Sequence, residues 1–142
     1  MRALLDVNVL IALLDAAHVH HAAAQVWLYA NVEAGWASCP LTQNGCLRIL
    51  STDSYARAQP LTEVAARLRE ATQTSFHEFW SDEISVLDPK RFAQDRWLTS
   101  RQITDAYLLA LAVKHGGRFV TLDRNVDLKI VRGAEARHLV VV

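Results

Sequence analysis

Two short apolar runs in this chain stop on an aspartate, and a third aspartate opens an apolar helix. Ala3-Leu4-Leu5 leads into Asp6, Phe119-Val120-Thr121-Leu122 leads into Asp123, and Asp105 heads Ala106-Tyr107-Leu108-Leu109-Ala110. Apolar runs this short read as buried strands. A carboxylate at the end of such a strand faces the crevice that α/β sheets open beyond the carboxyl ends of their strands. Three carboxylates brought to one crevice repel one another unless a cation lies between them. Oxygen donors of this kind suit a hard divalent cation, Mg²⁺ or Mn²⁺. The pattern points to metal-assisted phosphodiester hydrolysis.

The remaining chain alternates strand and helix signals. Residues 2–5 read as a first strand and Val9–Leu14 as a short helix, whose start can equally fall at Asp6 because Asp and Asn both cap well. His18-Val19-His20-His21 breaks the pattern. Ala22–Val32 repeats apolar residues at helical spacing, and Gly35 stops it. Trp36–Leu41 reads as a second strand ending at Pro40, and Thr42–Leu50 as a helix interrupted by Gly45. Pro60–Thr72 is amphipathic. Phe76–Trp80 is short and aromatic. Ile84–Leu87 is the third strand expected, and Lys90–Trp97 a short helix after Pro89. Thr104–His115 is the clearest helix, capped by Thr104 and ended by Gly116-Gly117. Arg118–Leu122 and Leu139–Val142 complete the strands. This alternation implies one α/β domain over residues 1–142 around a mostly parallel sheet.

With 142 residues, half of them hydrophobic, the chain can bury one core. Its formal net charge of +0 disfavours sequence-blind wrapping of nucleic acid, although cations gather between Lys114 and Arg137. Cys39 and Cys46 fit no zinc spacing and read as buried reduced thiols. The N-terminal apolar stretch is broken by Asp6 and Asn8, unlike a signal peptide, and no apolar run is long enough to span a membrane. A soluble, cytoplasmic setting is expected. His18, His20 and His21 read as a loop-plus-helix junction rather than a metal cluster, and the four tryptophans as core or interface aromatics.

Taken in order, Asp6-Val7-Asn8, His18…His21-Ala22-Ala23, Cys39-Pro40-Leu41-Thr42-Gln43-Asn44-Gly45 with Arg48, Thr104-Asp105-Ala106-Tyr107-Leu108 and Thr121-Leu122-Asp123-Arg124-Asn125 resemble the PIN-domain nucleases. The likeness is greatest to the VapC-type toxins of bacterial toxin–antitoxin systems, and it runs essentially end to end. It implies Mg²⁺- or Mn²⁺-dependent cleavage of RNA, restraint by a cognate antitoxin, and pairing as a homodimer. Two apolar helix faces are available for that pairing: Leu10, Leu13 and Leu14, and Leu61, Val64 and Leu68.

The family's site has four acids. Asp6, Asp105 and Asp123 match the first, third and fourth. Where a Glu is expected on the second helix region, the chain reads Thr42-Gln43-Asn44-Gly45, with no acid. Asn44 is the candidate substitute, as a neutral oxygen ligand or a hydrogen-bonding partner of a bound water. Fewer carboxylates mean weaker attraction for a cation, and a second ion is affected most. Asn8 and Thr121 are candidates for orienting Asp6 and Asp123, and Arg124 for touching phosphate. Asn44→Glu or Gly45→Glu is expected to restore binding, the latter at the risk of a φ angle that only glycine adopts.

Other classes fit less well. A haloacid-dehalogenase-like phosphatase needs Asp where Asn8 stands and a late Asp pair; a receiver domain needs an early acid pair and a late Lys. The serious alternative is a PIN-like domain that lost turnover with its fourth acid and only binds RNA or protein.

Overall fold

The computed structural model describes residues 1–97 and 99–142. Its elements follow in the order β1 (Ala3–Leu5), α1 (Val7–Leu14), α2 (His21–Asn31), β2 (Trp36–Ser38), α3 (Pro40–Leu50), α4 (Leu61–Thr72), β3 (His77–Phe79), α5 (Gln102–Lys114), β4 (Arg118–Thr121) and β5 (Leu139–Val141). The strands form one sheet in the order β3-β2-β1-β4-β5, and every neighbouring pair is parallel. The expected α/β class and parallel sheet are therefore present.

Alternation along the strands builds two cores. Leu4, Ala37 and Phe119 point to the face covered by α5, where they meet Leu108, Leu109 and Leu111. Their neighbours Ala3, Leu5, Trp36 and Val120 point to the opposite face, against Val9, Leu10, Cys46, Val64 and Leu68 of α1, α3 and α4. The chain steps from β1 outward to β2 and β3 with α1–α4 on one face. It then recrosses to β4 with α5 on the other. Right-handed crossovers require that change of face when the direction of stepping reverses. Every residue of α5 from Ala106 to Ala112 is buried, so this helix lies deep in the domain.

Several elements differ from expectation. The third strand is His77–Phe79, not Ile84–Leu87. Parallel pairing with β2 selects the former, with Ala37 opposite Glu78. As an edge strand it carries an exposed Phe79 and lacks the apolar run that marks a buried strand. Ile84 and Val86 instead pack as partly buried cover over the α5-side core, while Leu87 is exposed. Lys90–Trp97 yields only a 3-10 turn at Gln94–Arg96, because Phe92 is held in an antiparallel bridge to Val131. Pro40 ends no strand; it is the first residue of α3, a position where its missing N–H costs nothing. That helix runs through Gly45 unbroken. Thr104 does not cap α5, which starts at Gln102. Among the described residues, no helix is long and apolar enough to cross a membrane.

Candidate active site

Reversal of direction between β1 and β4 opens a crevice beyond their carboxyl ends. Asp6 and Asp123 lie at its two sides. β1 and β4 are direct neighbours, with Leu5 opposite Val120, and the Asp6 N–H donates to the Val120 carbonyl at 2.9 Å. Asp6 is also the N-cap of α1: its backbone is extended (φ −64°, ψ 159°) and its Oδ1 accepts from the Val7 N–H at 2.7 Å. The capping role leaves Oδ2 to accept from the Thr121 hydroxyl at 2.6 Å.

Thr121 is the hub of this arrangement. The same hydroxyl accepts from Asn8 Nδ2 at 3.2 Å and from the Asp123 N–H at 3.0 Å. Asn8 Oδ1 accepts from the Leu122 N–H at 3.2 Å, which ties α1 to the end of β4. Thus Asn8 and Thr121 fix the carboxylate of Asp6 and the backbone of Asp123, as their spacing suggests. Asn125 adds a contact: its N–H and Nδ2 donate to Asp123 Oδ1 at 2.8 and 3.0 Å. The signal was present in Asp-x-Asn, an Asx turn in which the side chain two residues on can also reach back.

Asp105, in the first turn of α5, approaches the crevice from the other face of the sheet. Its carboxyl is pushed up to about 6, first by burial and then by the charges of Asp6 and Asp123. Asp6 is 5% exposed, and its carboxyl too is raised, chiefly by burial and further by Asp123, against the hydrogen bonds from Thr121, Val7 and Asn8. The three acids therefore act on one another through a poorly hydrated space. Beside Asp105 a recess is bounded by Gln102, Asn125 and Asp127. Among the described residues, no three Asp, Glu, His or Cys side chains close into a ready-made metal cage. An open, oxygen-only, mutually repelling donor set fits Mg²⁺ or Mn²⁺, which keep several waters and need few direct protein ligands.

The stretch lacking the family's acid sorts residue by residue. Thr42 is buried and bonded to the Cys39 backbone, and Gln43 Nε2 donates to Ser38 Oγ at 2.9 Å. Gly45 is buried against α1. Asn44 alone in this stretch is exposed. Gly45 does not have a positive φ; a Cβ there would stand 2.6 Å from Val7 Cγ2. Space, not backbone conformation, thus demands glycine, and the contact brings α3 against the residue after Asp6. Arg124 is exposed beside Asp123. The His18–His21 segment lies at the far end of α1 from Asp6.

A model of the PIN domain family matches residues 3–132. The chain is 50% identical over 139 residues to Ribonuclease VapC44 of Mycobacterium tuberculosis, covering 98% of each chain. It is 43% identical over 124 residues to Ribonuclease VapC39 of the same organism, covering 87% of this chain and 89% of the relative. The crystal structure of Mycobacterium tuberculosis VapC20, described as a sarcin-ricin loop cleaving toxin, superposes with a TM-score of 0.56 at 16% identity, covering 82% of this chain and 85% of the other.

Proposed function

The chain belongs to the PIN-domain family, in its VapC ribonuclease branch, and from that premise we propose that it is a divalent-metal-dependent endoribonuclease, the toxin of a cytoplasmic toxin–antitoxin pair. The observation that carries this reading is the gathering of Asp6, Asp105 and Asp123 at the β1–β4 crevice, where the charges of Asp6 and Asp123 both bear on Asp105. All three are the proposed catalytic and metal-holding residues. A bound Mg²⁺ or Mn²⁺ supplies Lewis acidity to the scissile phosphate and lowers the pKa of a water.

The chain's own groups do the rest. Thr121 and Asn8 hold Asp6 in one orientation, and Asn125 does so for Asp123. One of the three aspartates takes the attacking water's proton at its carboxylate. Arg124, exposed next to Asp123, is positioned in sequence to meet a phosphate. Asn44 offers a neutral oxygen in the stretch where the family pattern leads one to expect an acid.

The antitoxin has a surface suited to it. An apolar groove of about 310 Å³ runs between α1, α2 and α4, lined by Leu13, Leu14, Leu28, Val32, Ala71 and Phe76. Grooves of this kind take the apolar face of a partner helix. The homodimer has the expected faces only in part: Leu10, Val64 and Leu68 are buried inside the domain, whereas Leu61 is exposed and Leu13 and Leu14 line the groove.

The missing acid favours a second reading, a domain that binds RNA without cutting it. One assay separates them. Chelator-stripped protein incubated with total RNA is expected to cleave it only after Mg²⁺ or Mn²⁺ is added, and Asp6→Asn is expected to cleave none. RNA that is bound but never cut would establish the second reading.

A further inference from the structure

The turn from Asp15 to His20 joins the end of α1 to the start of α2. Its backbone closes twice: the His18 N–H donates to the Asp15 carbonyl and the His21 N–H to the His18 carbonyl, each at 2.9 Å. A side chain completes it, since the His20 N–H donates to His18 Nδ1 at 3.1 Å. An imidazole nitrogen accepts only while it carries no proton, so the turn holds His18 as its neutral Nε2–H tautomer. His21 is the opposite case. Its Nδ1 stands 2.7 Å from the Ala12 carbonyl, which only accepts, so this nitrogen donates whether the ring is neutral or charged. The charged groups facing His18 come from three elements. Burial first, then His20, hold the His18 imidazole below its ordinary range; Arg57, from the loop between α3 and α4, and His21 act in the same sense. The His20 ring is centred 5.8 Å away. Asp15 at the end of α1 acts in the opposite sense, but its carboxylate is already bonded to Tyr55, Arg57 and the Ala17 N–H. α2 itself has no side-chain cap and no acid in its first turn to offset a cation there.

We propose that this turn is an acid-sensitive latch: a proton on His18 Nδ1 releases the start of α2 and loosens the groove that α1 and α2 share. The inference goes beyond the ribonuclease reading and does not rest on it. A proton arriving at Nδ1 faces the His20 N–H with no lone pair between them. It also adds positive charge beside the N–H groups that open α2. The bond breaks, and the turn that fixes α2 against α1 opens. Both helices wall the apolar groove, α1 through Leu13 and Leu14 and α2 through Leu28 and Val32. The sign of the linkage is definite. A folded state that holds this proton less tightly than the unfolded chain is fully stabilised above the ordinary imidazole value of 6.5 and loses that stability as pH falls below it. The acidic crevice has the opposite sign, because the Asp105 carboxyl is raised. A local measurement therefore distinguishes the latch from the crevice.

Amide hydrogen exchange of the full chain, read as protection relative to an unstructured peptide at the same pH, provides it. Between about pH 7.5 and about pH 5.5, residues 19–31 are expected to lose protection by about 3- to 10-fold. Tenfold is the ceiling for one imidazole about one unit below its ordinary value. Residues 106–112 of α5 are expected to lose none. His18→Asn places an amide oxygen where Nδ1 stood, and it accepts from the His20 N–H at every pH. Its α2 is expected to keep its protection on acidification. His21→Ala is expected to lower protection alike at both pH values and to retain the acid effect. On the parent alone, nitrogen NMR of the imidazoles at about pH 7.5 is expected to place the His18 proton on Nε2 and a His21 proton on Nδ1. Equal protection of residues 19–31 at the two pH values would overturn the latch. So would an acid loss in His18→Asn as large as the parent's, a loss shared equally by α5, or a neutral His18 protonated at Nδ1.

Discussion

At the scale of residues, the largest electrostatic shift among the proposed site acids is at Asp105. Its carboxyl titrates near 6 in the folded chain, against 3.8 for an ordinary Asp. A raised folded-state value means that the folded state holds the proton more tightly than the unfolded one. The associated stability is present below pH 4 and is lost as pH rises through about 6. Asp105→Asn removes that loss. In metal-free buffer at pH 7.5 the variant is expected to be more stable than the parent by about 1–2 kcal/mol, after allowance for partial hydration, and no more stable at pH 4. Urea unfolding at the two pH values checks this. Asn44→Glu is the complementary change. Asn44 is the exposed member of its stretch, so a carboxylate there adds charge without disturbing the core. Tighter Mn²⁺ binding is expected, by about 10-fold, from one added negative charge near the ion. Calorimetry showing no gain would mean that Asn44 lies outside reach of the ion.

At the scale of elements, α1 and α3 meet through Gly45 and Val7. A Cβ at Gly45 would come within 2.6 Å of Val7 Cγ2, well inside contact distance. Gly45→Ala is expected to destabilise the protein by about 1–3 kcal/mol through overpacking, and Val7→Ala to recover much of that loss. A double-mutant cycle in urea tests the coupling. Gly45→Glu is expected to lose fold stability rather than gain metal affinity, contrary to what the chain's spacing alone suggests. This contact shows where sequence reasoning stops. Periodicity revealed α1, α4 and α5, and the strand-then-Asp runs revealed β1 and β4, because burial in the middle of the sheet leaves an apolar signature. β3 left none: an edge strand reading His-Glu-Phe gets its place from pairing with β2, which is a long-range fact. The apolar Ile84–Leu87 competed for the assignment because a short run can cover a core as readily as cross it. Asp6, Asp105 and Asp123 were legible as a set, as were Asn8 and Thr121. The role of Gly45 was not, since it depends on what lies opposite in space.

At the scale of the whole molecule, a neutral domain with a central crevice and an apolar groove has surface to spare for partners. The groove, together with exposed Val26, Tyr29 and Phe76, presents apolar area beyond scattered single side chains. Self-association is expected where no antitoxin is present. Light scattering should return twice the 15.9 kDa chain mass at micromolar concentration. A monomer across that range would remove the dimer and leave the groove to the proposed antitoxin alone.

Asp6, Asp105 and Asp123 are proposed to share one divalent ion. A calorimetric titration of Mn²⁺ into the metal-free parent and into Asp105→Asn tests it most directly. The parent is expected to bind one ion tightly and at most one more weakly, and the variant to bind the first at least about 10-fold less tightly, since a carboxylate facing the ion has gone. Identical isotherms for the two proteins, or two tight ions in the parent, would contradict it.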